Sequence, residues 1–114
     1  MYHDPYWQYE NKTKTEIEAY LKKYGCKGNL EENQNDSPSV QEFLDMAKTW
    51  PTITYNGYVV EKPREDFRVS IEGFDITGIT ADQALALLDE FGYADEHTYS
   101  KEKNGTYSVH TWWD

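Results

Sequence analysis

Residues 53–60 read Ile53-Thr54-Tyr55-Asn56-Gly57-Tyr58-Val59-Val60, two short β-branched and aromatic runs on either side of an Asn-Gly pair. Asn-Gly is the strongest short signal for a two-residue hairpin, because both residues tolerate the positive φ that a type I′ turn requires. The register that follows sets Tyr55 opposite Tyr58 and Ile53 opposite Val60, with those four on one face and Thr54 and Val59 on the other. The middle of the chain therefore points to an antiparallel sheet.

Downstream, Lys62 to Glu65 make a connection, and Phe67, Val69 and Ile71 then alternate with Asp66, Arg68, Ser70 and Glu72, the pattern of a strand with one buried face. Gly73 and Gly78 bracket the exit from it. Thr80 with Gln83 forms a capping box, and Ala81, Ala84, Leu85, Leu88 and Phe91 make the apolar stripe of a helix that stops at Gly92. From Glu96 to Trp113 a second hairpin turns at Asn104-Gly105, which pairs Glu102 with Tyr107, Ser100 with Val109, Tyr99 with His110, and His97 with Trp112.

Upstream, Ser37 and Pro38, or Ser39 with Glu42, open a helix whose Val40, Phe43, Leu44 and Ala47 share a face, and Pro51 ends it. Lys27 to Asp36 is a polar loop. Thr13 with Glu16 caps a first helix over 14–24, with Ile17, Tyr20, Leu21 and Tyr24 at helical spacing and Gly25 as its stop. Residues 1–12 form an arm rich in aromatics (Tyr2, Tyr6, Trp7, Tyr9) that is expected to lie on the domain or on a partner. The expected fold is a single α+β domain spanning 1–114. About five antiparallel strands carry about three helices mainly on one face, in the order ααβββαββ.

With 114 residues there is room for one core, and ten Tyr, four Trp and four Phe supply much of its buried surface. The net charge is −10, with six Lys or Arg against nine Asp or Glu in residues 1–50 and five against twelve in 51–114. Such a balance disfavours direct contact with nucleic acid or an anionic membrane and favours a basic partner surface, although acidity also serves solubility. Cys26 is the only cysteine, so an intrachain disulfide is impossible. Met1-Tyr2-His3-Asp4-Pro5 has neither the basic nor the apolar segment of a secretion signal, so a cytoplasmic location is expected.

No phosphate-binding glycine loop, nucleophile elbow or His-Glu-x-x-His spacing occurs, so no catalytic residue, metal or cofactor is assigned. The Lys27–Asp36 loop has oxygen ligands but lacks the alternating acids and central Gly of a calcium loop. Two features point to binding. Glu61, Glu65 and Asp66 around the strand connection, Asp82, Asp89 and Glu90 on the third helix, and Asp95 and Glu96 after it are expected to form one negative face. His97, Tyr99, His110 and Trp112 are expected to form an aromatic face of the last hairpin, able to anchor a protein or stack on a small ligand.

The expectation is a non-catalytic protein that binds a basic protein surface, in the manner of a nucleic-acid mimic. A stoichiometric inhibitor of a nucleic-acid enzyme, of the type phages and mobile elements use against restriction or CRISPR nucleases, fits this description. The alternatives are a small-molecule or nucleotide-sequestering module using the aromatic face, and a structural or adaptor protein. A homodimer is compatible with the excess of aromatic residues.

Overall fold

The computed structural model describes residues 5–25, 28–33 and 36–113. Cys26, the first residues of the arm and part of the Lys27–Asp36 loop lie outside the described residues. The elements are β1 (Tyr6–Lys12), α1 (Lys14–Tyr24), α2 (Val40–Asp45), β2 (Thr54–Val60), β3 (Arg68–Ile79), α3 (Ala81–Glu90), β4 (Glu96–Lys101) and β5 (Tyr107–Trp112), with short 3₁₀ turns at Asn29–Glu31 and Met46–Lys48. The five strands form one antiparallel sheet in the order β1-β2-β3-β5-β4.

The first and third helices begin at the expected caps, and the second at Ser39, the later of its two candidate starts. Thr13, Ser39 and Thr80 each accept from the N3 backbone N–H, while Glu16, Glu42 and Gln83 reach back to the cap N–H. The α1 helix stops where Gly25 donates to Leu21 O. The helices cover the sheet face that carries Tyr9, Tyr55, Val59, Ile71, Phe74 and Val109. Trp113, 1% exposed, sits among the rings of Phe43, Phe91, Tyr93 and Phe74 at centroid distances of 5.5, 6.1, 5.6 and 6.3 Å.

The Asn56-Gly57 hairpin is not formed. Both residues lie inside β2, and positive φ occurs at Asn11, Asp36, Gly28, Gly78 and Gly105 but at neither of them. The reason for glycine is space. A Cβ on Gly57 would stand 2.1 Å from Ser70 O and 2.6 Å from the Tyr9 hydroxyl, because the Tyr9 ring crosses the strand there. Tyr55 and Tyr58 consequently lie on opposite faces. The expected arm supplies the missing strand, since β1 pairs Tyr6 with Val60, Trp7 with Val59 and Tyr9 with Gly57. The observed order is thus βααββαββ, with the fifth strand drawn from residues 6–12 rather than from a divided 53–60.

Nor does Gly73 end its strand. β3 runs on to Ile79, and Glu72 is an extra residue between the pairs Ile71–Gly57 and Gly73–Asn56. This β-bulge reverses the side-chain parity, so Val69 and Ile71 before it and Phe74 and Ile76 after it all face the helices. A Cβ on Gly73 would meet Thr111 O at 2.1 Å, the close approach that lets β5 pair beside the bulge.

Candidate functional site

The eight expected acids do not share one surface. Around the β2–β3 connection, Glu61 accepts from Trp7 Nε1 at 2.6 Å, and Asp66 holds Arg64 at 2.6 Å and Arg68 at 3.1 Å. Desolvation pushes the Asp66 carboxyl up, but the hydrogen bonds from Arg68 and Arg64 outweigh it and hold the group below its ordinary value. Residues 61–68 contain three acids (Glu61, Glu65, Asp66) and three bases (Lys62, Arg64, Arg68), so this end of the sheet is electrically balanced.

The other acids lie elsewhere. Glu96 is level with Gly73 through Trp112, five residues above Arg68 on β3 and two strands across, which is about 17 Å along the sheet and about 10 Å over. No Lys or Arg occurs between Val69 and Ser100. Asp82 occupies the first turn of α3, where the helix dipole favours a carboxylate. Asp89 and Glu90 stand in the last turn, where it does not, and no basic residue is there to compensate. Asp95 and Glu96 follow within six residues, and all four are exposed. Burial raises the Tyr93 phenol above its ordinary value, and the charges of Glu42 on α2 and of Glu90 push it further. Glu42 was not among the expected site residues, since its capping role accounts for it in the sequence.

The expected aromatic face is divided by a register one residue different from the expected one. Tyr99 pairs with Val109, His97 with Thr111, Thr98 with His110 and Glu96 with Trp112. Directly opposed residues share a face, so His97 and Tyr99 lie on the helix side with Val109 and Thr111, while His110 and Trp112 lie on the other. The cause is the turn. Glu102 N–H donates to Thr106 O at 2.7 Å and Gly105 N–H to Glu102 O at 3.0 Å, with Gly105 at φ 87. This is a three-residue loop closed by a left-handed glycine, one residue longer than the type I′ turn. Asn104 Oδ1 fixes it by accepting from Thr106 N and Oγ1. The face of β5 that turns to the helices is buried, with Val109, Thr111 and Trp113 all inside.

On the helix-free face the structure assembles a hydrogen-bonded line that the sequence reading missed. Asn11 N–H donates to Asn56 Oδ1 at 2.9 Å, Asn56 Nδ2 donates to Asp75 Oδ2 at 2.8 Å, and Asp75 Oδ1 lies 2.7 Å from His110 Nδ1. Both Asp75 oxygens are used and His110 is oriented, 40% of its side chain exposed. Had the strand been carried past Gly73, the Phe74-Asp75-Ile76 alternation would have shown Asp75 on this face.

A depression of about 870 Å³ between α1 and the Asn29–Glu31 turn is lined by charges of both signs, Lys14, Lys22, Glu18 and Glu31. Among the described residues no group of three or more His, Cys, Asp or Glu is arranged to hold a metal ion, and no helix is long and apolar enough to cross a membrane. The arrangement can therefore offer charge, one oriented imidazole and an exposed strand. No protein-family model matches the chain, and no curated protein or solved structure matches it.

Proposed function

We propose that this chain is a non-catalytic binding protein that presents the acidic end of α3, with Asp89, Glu90, Asp95, Glu96 and Glu42, to a basic surface of a protein partner. The observation that carries the reading is the uncompensated pair Asp89 and Glu90 at the negative end of the α3 dipole. Each such charge costs the folded helix about 0.3 to 1 kcal/mol at an exposed position. A basic partner surface turns that cost into attraction, and the charge steers association as well as strengthening it. Asp82 and the balanced Glu61–Asp66 region stand apart from this surface.

The finer form of the proposal is that the partner is a nucleic-acid enzyme, a restriction or CRISPR nuclease in the first instance, whose basic groove the acidic surface occupies. Its test is cleavage of plasmid DNA by a panel of such nucleases with increasing protein, together with affinity capture from host lysate and elution by competing DNA. Stoichiometric inhibition that is relieved by DNA, and weakened well beyond tenfold by Asp89→Lys with Glu90→Lys, is the expected result. Unchanged binding by that folded variant sinks the acidic-surface reading.

A further inference from the structure

β4 is an edge of the sheet, and all six of its residues are exposed. The turn fixes which of its backbone groups point outward. Glu102 and Thr106 are a hydrogen-bonded pair, so alternation along the antiparallel ladder makes Ser100–Ser108, Thr98–His110 and Glu96–Trp112 hydrogen-bonded as well. His97, Tyr99 and Lys101 then turn their N–H and C=O groups away from β5.

The two edges of the sheet are treated differently. β1 carries a break in register between Tyr9 and Lys12, a left-handed Asn11 and the charge of Glu10, all of which discourage pairing with another chain. β4 keeps an unbroken register over six pairs, and its centre, His97 to Ser100, has no Lys, Arg, Asp, Glu, Pro or Gly. Beside it runs a shallow apolar groove of about 150 Å³ between α3 and the sheet, edged by Leu85, 61% exposed, and Tyr99, 58% exposed.

We infer that β4 pairs antiparallel with β4 of a second copy, joining the two five-stranded sheets into one. A two-fold axis perpendicular to the sheet keeps both helix layers on the same side, which requires opposed residues to have the same parity. Charge selects among the allowed registers. With Thr98 opposite Thr98 of the second copy, His97 faces Tyr99, Glu96 faces Ser100, and Asp95 at the strand entrance faces Lys101, giving two symmetry-related pairs of opposite charge. A shift toward the turn sets Lys101 against His97 and Glu96 against Glu102, so like charges meet, and the opposite shift sets Asp95 against Tyr99 and Glu96 against Thr98, so the attraction is lost. In the favoured register the outward N–H and C=O groups of His97 and Tyr99 exchange hydrogen bonds, and the two Leu85–Tyr99 patches approach across the axis. At physiological salt the Debye length of about 8 Å screens the net charge of each copy more than it screens these contact pairs. Asp95 and Glu96 belong both to this contact and to the proposed acidic surface, whereas Lys101 belongs only to the contact and Asp89 and Glu90 only to the acidic surface, so substitutions at these three positions test the two readings separately.

The test is sedimentation equilibrium of the full chain from about 5 to about 500 µM, where a self-association must show its concentration dependence. Reversible monomer–dimer behaviour is expected. Lys101→Glu should raise the dissociation constant at least about tenfold, and Asp95→Lys should do the same. The double variant Asp95→Lys with Lys101→Glu should restore pairing, because it exchanges the partners' signs. Tyr99→Pro removes an outward N–H without removing a β4–β5 hydrogen bond and should give a folded monomer by circular dichroism. A monomer at every concentration overturns the inference. So does a dimer that is indifferent to Lys101→Glu, or one that the double exchange leaves weakened.

Discussion

Tyr9 lies across Gly57, its hydroxyl 2.6 Å from the place a Cβ would occupy, and donates to Ser70 O at 2.7 Å. One aromatic side chain thus joins β1 to β3 over a β2 residue that has no side chain. Gly57→Ala should destabilise the fold by about 3 kcal/mol, since both neighbours of the new methyl group are fixed. Tyr9→Phe keeps the ring and should cost about 0.5 to 1.5 kcal/mol by removing a buried hydrogen bond to Ser70 O. Urea denaturation of the two variants checks the order.

Burial raises the Tyr9 phenol well above its ordinary value of 10.0, with Glu72, Tyr20 and Tyr58 adding to the effect, and burial does the same for Tyr55. The folded value is the higher one, so the contribution to stability is complete below the unfolded value and is lost as pH rises above it. Stability is expected to fall above pH 10, with a slope of about 1.4 kcal/mol per pH unit for each of the two tyrosines. Thermal unfolding between pH 8 and 11 measures it, and Tyr9→Phe should reduce the slope.

The contact between Asp75 Oδ1 and His110 Nδ1 fixes the imidazole tautomer. In the neutral ring the proton should reside on Nδ1, because the facing carboxylate oxygen only accepts. Long-range ¹H–¹⁵N correlation spectra of the wild-type chain and of Asp75→Ala test this directly. A proton on Nε2 in the wild type would show that Asp75 does not orient the ring.

Asp89→Asn and Glu90→Gln should each stabilise the chain, by about 0.3 to 1 kcal/mol, because they remove charge from the negative end of α3. The same variants should weaken capture of the basic partner. A gain in stability with undiminished capture would assign these acids to solubility alone.

The helices were legible because their signals are local. Thr13-Glu16, Ser39-Glu42 and Thr80-Gln83 specify their own starts by reaching three residues along the chain. The α+β class and the antiparallel sheet followed from alternation. Glycine was harder to read. Gly57 and Gly73 are needed because another strand or ring approaches them, a condition that local sequence does not contain, whereas Gly105 does serve a turn. The choice between a two-residue and a three-residue loop at Asn104 hung on one φ angle, and that one residue moved His97 and Tyr99 to the opposite face from His110 and Trp112. Asp75 was hidden by the same misreading of Gly73 that shortened β3.

The position of β5 also governs how the protein is made. β5 is the last strand in sequence yet pairs on both sides, with β3 and with β4, and Trp113 just beyond it fills the space among Phe43, Phe74 and Phe91. A nascent chain that has released only its first ninety or so residues has a bare β3 flank and an aromatic nest without its centre. The helix layer therefore cannot close around its core before β5 and Trp113 are available, and cooperative folding requires the chain through Trp113.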